Sequence, residues 1–185
     1  MTAYLVAMAL GALALGAVAW TFLEYAIHGW VGHVLPNRTP FRQEHMAHHR
    51  NSHYFTPTPR KARAAAGFLV PLGLLASLVV GWLPGLAFAA GLSLMYVAYE
   101  VLHRRAHTHP PRGRYSRWLR RHHFHHHYQN PRANHGVTTP LWDLVFGTYQ
   151  RPGRIPVPRK HAMDWLCDPA TGEVLPRYAA DYALR

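Results

Sequence analysis

The run AAAGFLVPLGLLASLVVGWLPGLAFAAGLSLMYVAYEVLH, residues 64–103, contains no lysine or arginine, and its first charged side chain is Glu100. A bilayer core ~30 Å thick asks for ~20 apolar residues per helical crossing. The run is too long for one perpendicular crossing, and Trp82, Leu83, Pro84 and Gly85 interrupt it with a turn signal suited to a tight helical hairpin. Two spans, about 64–82 and 86–107, follow.

Upstream, residues 1–35 also lack lysine and arginine, and Ala3–Leu23 is apolar or small throughout. The start has no basic n-region and runs directly into Glu24 and His28, so it reads as a retained span of about 3–30 and not a cleaved signal. Pro36, Asn37 and Pro40 break it. The basic residues lie between and after these stretches, six from Arg38 to Arg63 and twelve from Arg104 to Lys160. Such clustering is the signature of spans with positive cytoplasmic loops. It places the N-terminus outside and the histidine-rich segments in the cytoplasm. Three crossings satisfy this pattern; a fold-back of the N-terminal run would give four. A nucleic-acid binder would spread its basic residues along its elements, so nucleic acid is not an expected partner.

Pro110, Pro111 and Gly113 end the third helix. The mixed basic and aromatic character of Arg117, Trp118, Leu119 and Arg120 predicts a short interfacial helix over about 115–128. Residues 1–150 form the membrane domain in this reading. The proline-rich basic stretch RPGRIPVPRK then opens a peripheral cytoplasmic tail, 151–185. The expected fold is therefore all-α, an integral membrane bundle of three or four spans.

Fifteen of the sixteen histidines fall in three blocks, each near the end of an expected span or on the interfacial helix. His45, His48 and His49 stand at i, i+3 and i+4, as do His123, His126 and His127, and His103 and His107 stand at i and i+4. On helices these spacings put each set of imidazoles on one face. His28 and His33, five apart, close the first span. A lone interfacial histidine ordinarily just solvates the surface, and a flexible histidine tract would need no helical spacing. Two HxxHH patterns with HxxxH and HxxxxH instead indicate a common site. With Cys167 as the sole cysteine, a thiolate cluster is excluded and any metal takes nitrogen or oxygen ligands. Ten imidazoles exceed what one ion binds, so two ions with about five each is the natural division.

These motifs are similar to those of the membrane fatty acid hydroxylase and sterol desaturase superfamily. The resemblance runs from about Glu24 to Tyr149, through EYAIHGWVGH (24–33), HMAHH (45–49), HRRAH (103–107) and HFHHHYQNPRANHGVTTPLWDLVFGT (123–148). The last of these looks like the ending of the small fatty acid hydroxylases. The resemblance implies a helical membrane bundle capped by a cytoplasmic di-metal site, with iron as the active metal and zinc able to replace it in purified protein. It further implies O₂ as co-substrate and a lipid whose aliphatic C–H bond is hydroxylated or desaturated. At 185 residues the chain is short for a separate redox domain, so electrons would come from an external donor such as a ferredoxin, a cytochrome b5-like protein or a reductase. The setting is a bacterial inner membrane.

Box by box, the resemblance implies His28, His33, His45, His48, His49, His103, His107, His123, His126 and His127 as ligands. In the last box His122, His125 and His126 also satisfy HxxHH, although Tyr128 and Asn130 align better with the first choice. Glu24, Glu100 and Asp143 are candidates to accept an imidazole N–H and fix its tautomer; an ion pair with a basic residue is the alternative for both glutamates, and a structural capping role the alternative for Asp143. His53, His109, His122, His125, His135 and His161 are left without ligation, with His135 near a substrate entrance and His161 facing solvent. Carotenoid or sterol hydroxylation, or desaturation, stays open within the superfamily. A non-catalytic membrane metal-binding protein is the alternative of another class.

Overall fold

The computed structural model of the protein describes residues 2–36 and 38–185. Asn37, read above as part of the break after the first span, lies outside the described residues. Helix α1 (Thr2–Tyr25) continues into a π-helical segment (Ala26–Val34). Then come α2 (Pro40–Arg50), α3 (Thr58–Val80), α4 (Trp82–Thr108), α5 (Gly113–Tyr128) and the short α6 (Leu141–Val145). Two three-residue strands, β1 (Ile155–Val157) and β2 (Tyr182–Leu184), pair in parallel, with Ile155 opposite Tyr182. Among the described residues three helices are long and apolar enough to cross a membrane, Thr2–Val34, Thr58–Val80 and Trp82–Thr108. The N-terminal run does not fold back into a fourth.

The hairpin turns one residue earlier than the sequence suggested. Gly81 takes φ +90°, a conformation costly for any residue with a Cβ. Trp82, Leu83 and Pro84 then form the first turn of α4, where proline forfeits no helical hydrogen bond. Helix α3 likewise starts ahead of the expected Ala64, because Pro59 at its first turn presets the helical φ.

The chain forms two compact units, residues up to 24 with 56–100, and 25–55 with 101–185. The first unit holds the greater part of the spans. A Cβ on Gly16 would sit 2.1 Å from the Phe88 carbonyl oxygen, and one on Gly91 1.9 Å from that of Leu13, so only glycine permits this approach of α1 to α4. Trp20 packs on Tyr96 and Tyr99 at ring distances of 4.9 and 5.8 Å. The outer faces stay apolar, with Leu78 and Val79 84% and 74% exposed. Such a surface is a liability in water and the normal contact in lipid.

The second unit is built around α5, whose Leu119, Arg120, His122, His123, Phe124, His125, His126 and Tyr128 are buried. The histidine face of α5 is turned inward onto other histidine-bearing elements. The stretch 151–185 is ordered and packs side chains of its own. Ile155, Val157, Met163, Trp165, Leu166 and Tyr182 are buried, and His161, expected at the surface, is only 9% exposed. Its proline-rich composition concealed a two-strand ribbon and a set of aromatic anchors.

Candidate metal centre

The π-helical segment resolves an oddity of the sequence. In an α-helix residues five apart are about 140° apart around the axis, so His28 and His33 would diverge. The i→i+5 bonding of a π-helix brings them toward one side. Two glycines in the same segment let neighbours close in. A Cβ on Gly29 would meet the His135 ring at 2.8 Å, and one on Gly32 the His45 ring at 2.9 Å.

Helix α2 is started by Thr39, whose side chain accepts the Arg42 N–H, and it carries His45, His48 and His49. Arg42 also ties α2 back to the π-helical segment by donating to the carbonyls of Gly32 and Leu35, at 3.0 and 3.1 Å. The last turns of α4 supply His103 and His107, and α5 supplies His123, His126 and His127.

All ten sequence-predicted imidazoles meet in two groups, His28, His33, His45, His49 and His126, and His48, His103, His107, His123 and His127. Within each group one nitrogen per ring lies within 4.8 Å of every other, so each group could hold a metal ion. Adjacent α2 residues serve different groups, since His48 and His49 point to opposite sides. In the last box the rings brought together are His123, His126 and His127, whereas His122 and His125 turn elsewhere.

The inward atoms are Nε2. Those of His33 and His45 face each other at 2.7 Å, of His49 and His126 at 3.1 Å, of His48 and His103 at 3.1 Å, and of His107 and His123 at 2.9 Å. Two neutral imidazoles meeting this way share at most one proton, and a cation between them would satisfy every lone pair. His28 Nε2 and both ring nitrogens of His127 are buried without a hydrogen-bond partner among the described residues. Burial first, then neighbouring imidazoles, push His45, His49, His123, His126 and His127 well below the usual 6.5. The rings are therefore neutral at pH 7, the form that binds metal. A nitrogen-only donor set of this density suits iron, zinc or copper.

The groups that orient these rings are mostly backbone carbonyls. The Nδ1–H of His28 donates to the His135 carbonyl at 2.5 Å, that of His126 to Ala133 at 2.8 Å and that of His48 to Tyr54 at 2.8 Å. The Nδ1–H of His28 is taken by the His135 carbonyl rather than by a carboxylate. Glu100 pairs with Lys61, the ordinary ion pair.

Asp143 works one step back from the rings. It is fully buried; Oδ1 accepts from the His135 N–H at 2.8 Å and the Thr148 hydroxyl at 2.7 Å, and Oδ2 accepts from the Gly136 N–H at 2.9 Å and from His122 Nε2 at 3.1 Å. Burial alone would raise its carboxyl, but the bonds from His122, Thr148 and Gly136 hold it below the usual range. It thereby fixes the loop whose Ala133 and His135 carbonyls hold two of the rings. His135 is accordingly a buried support rather than the rim of an entrance, and its role lies in a carbonyl that carries no side-chain signal.

Three helices long and apolar enough to cross a membrane, together with two five-imidazole groups that could each hold a metal ion, define a histidine-box membrane protein. The chain belongs to the fatty acid hydroxylase family, whose profile matches residues 13–148. It is 34% identical over 151 residues to the mouse fatty acid 2-hydroxylase, covering 75% of this chain and 39% of that one. It is 31% identical over 145 residues to an Arabidopsis thaliana dihydroceramide fatty acyl 2-hydroxylase, covering 74% and 59%. The solved structure of full-length Scs7p, in which only the hydroxylase domain is visible, superposes with a TM-score of 0.63 at 28% identity over 78% of this chain and 57% of that one. The chain thus spans about two fifths to three fifths of the length of these proteins.

Proposed function

We propose that the chain is an O₂-dependent two-iron membrane hydroxylase that converts an aliphatic C–H bond of a fatty acyl chain or acyl lipid to C–OH. The relatives' names carry hydroxylation at position 2, and that carbon is the proposed target. The overall change is R–H + O₂ + 2 e⁻ + 2 H⁺ → R–OH + H₂O, with the electrons from an external donor. The histidine face is cytoplasmic and the N-terminus outside, in a bacterial inner membrane. The observation that carries the reading is the pair of five-imidazole groups in a chain of this family.

The ten imidazoles are the proposed ligands, one ion to each group. Bound iron would supply the activation of O₂ needed to attack an unactivated C–H bond. The protein supplies position and dryness. His28, His48 and His126 are held in the Nδ1–H tautomer by the carbonyls of His135, Tyr54 and Ala133, which leaves each Nε2 lone pair inward. Burial of the rings keeps water from competing for the site.

The test is lipid profiling of cells with the intact chain and with His48→Ala, paired with metal analysis of both proteins. The intact chain should carry two iron equivalents and add hydroxylated acyl lipid only in air. His48→Ala should lose about one metal and the product. Unchanged conversion without O₂, or an unaltered lipid profile with both metals bound, would exclude the reading. Product on a sterol or carotenoid would move it to the neighbouring chemistry.

A further inference from the structure

The two imidazole groups are held in different ways. In the group of His28 and His126, both rings donate to carbonyls of the 133–135 loop. In the other group His48 donates to the Tyr54 carbonyl, but the Nδ1 atoms of His107, His123 and His127 are buried and have no hydrogen-bond partner among the described residues. Those rings rely on packing and on the backbone that carries them. His107 sits in the last turn of α4, where the Arg105 carbonyl still accepts the His109 N–H at 3.1 Å and later carbonyls run out of helical donors.

Those carbonyls are held from outside α4. Trp165 Nε1–H donates to the His107 carbonyl at 3.2 Å, in a buried position. Arg120 donates to the Arg105 carbonyl at 2.7 Å and the His109 carbonyl at 2.8 Å, and its guanidinium lies over the Trp165 ring at 5.7 Å. Phe124 lies between them, 5.1 Å from the His107 ring and 6.3 Å from Trp165. The same C-terminal stretch reaches the end of α2, where Ser52 donates to the His161 carbonyl at 3.3 Å. Tyr128, next to His127, also donates to the His161 carbonyl, at 3.3 Å. Every one of these C-terminal contacts comes from residues beyond 148, where the family match ends.

We infer that residues 155–185 brace the group of His48, His103, His107, His123 and His127, and that Trp165 is a positioning residue setting metal affinity at that group and not at the other. The inference rests on the two-metal reading above. Losing a partner one step removed from a metal typically costs 10–100-fold in affinity, so removing one N–H here should register at one site.

The test uses the full chain in detergent with Co²⁺ alone as the probe, read by equilibrium dialysis and visible absorption. Trp165→Phe, which keeps an aromatic ring and removes the donor, is placed in a His49→Ala chain and in a His103→Ala chain. Each of those retains one intact group. Arg159→Ala, which removes an exposed ion pair with Glu173 in the same stretch, is the control. Trp165→Phe should weaken Co²⁺ about tenfold or more in the His49→Ala chain, alter its absorption band, and change affinity less than about twofold in the His103→Ala chain. Equal weakening in both backgrounds, no weakening in either, or the same loss from Arg159→Ala would overturn the inference. So would a His49→Ala chain that binds no Co²⁺, because the groups would then not be separable. A parent chain that binds fewer than two Co²⁺ would instead overturn the two-metal reading itself.

Discussion

Asp143 makes four buried contacts, to the His135 and Gly136 amides, the Thr148 hydroxyl and His122. An asparagine there would turn one acceptor oxygen into a donor facing other donors. Hydrogen bonds to a buried charge are worth about 1.5–3 kcal/mol each, so Asp143→Asn should cost about 3 kcal/mol, a fall in Tm on the order of 10 °C for a chain of this size. Because the loop it fixes supplies the carbonyls for His28 and His126, metal should also be lost first from their group. Thermal unfolding with parallel metal analysis checks both. A Tm unchanged within a degree would show that the loop is held by something else. Asp143 was legible in the sequence as an acid that could orient a ligand or cap a turn, but its action through the His135 backbone was not, because a carbonyl has no residue identity to read.

At the scale of elements, the HxxHH and HxxxH spacings fit the faces of α2, α4 and α5, since their periodicity is that of the α-helix, although no helix over Pro40–Arg50 was expected from the sequence. HxxxxH did not announce its element. Five residues fit no α-helical face, and nothing in Ala26–Val34 marks it as π-helical except that misfit. The inward turn of α5 and the ordered C-terminus were hidden for a related reason, because a run of arginines, histidines and prolines reads as surface until tertiary partners satisfy it. The π-helical segment makes its own prediction. Gly32 lies where a Cβ would press on the His45 ring at 2.9 Å, and His45 belongs with His28 and His33. Gly32→Ala should therefore weaken Co²⁺ at that group about tenfold while leaving the His103 group alone, the mirror image of Trp165→Phe. Dialysis of the single-site chains measures it, and an unchanged affinity at the His28 group would mean that α2 shifts to make room.

For the whole molecule, the gathering of so many neutral imidazoles ties stability to pH and to metal together. His123 and His126 are at most 1% exposed, and burial holds their folded values well below 6.5; His45, His49 and His127 are pushed the same way. In the unfolded chain each titrates near 6.5. Above that value neither state is protonated and the stability is fully present. As pH falls below about 6.5 the unfolded chain takes up protons that the folded one refuses, and each fully buried ring costs up to about 1.4 kcal/mol per pH unit until its own lowered value is reached. Metal acts in the same sense, because it binds the neutral rings of the folded state alone and adds about 2.7 kcal/mol at a hundredfold excess over Kd. The Tm of the metal-free chain should hence be flat from pH 8 to 7 and fall steadily below about 6.5. The increment from added Zn²⁺ should hold from pH 7.5 through 6.5 and be lost only once the pH falls to the lowered values of the folded rings, where protons begin to compete with the ion. A Tm that rises on acidification, or a Zn²⁺ increment already lost by pH 6.5, would mean that the imidazoles are charged in the folded protein, a state in which they could not serve as ligands.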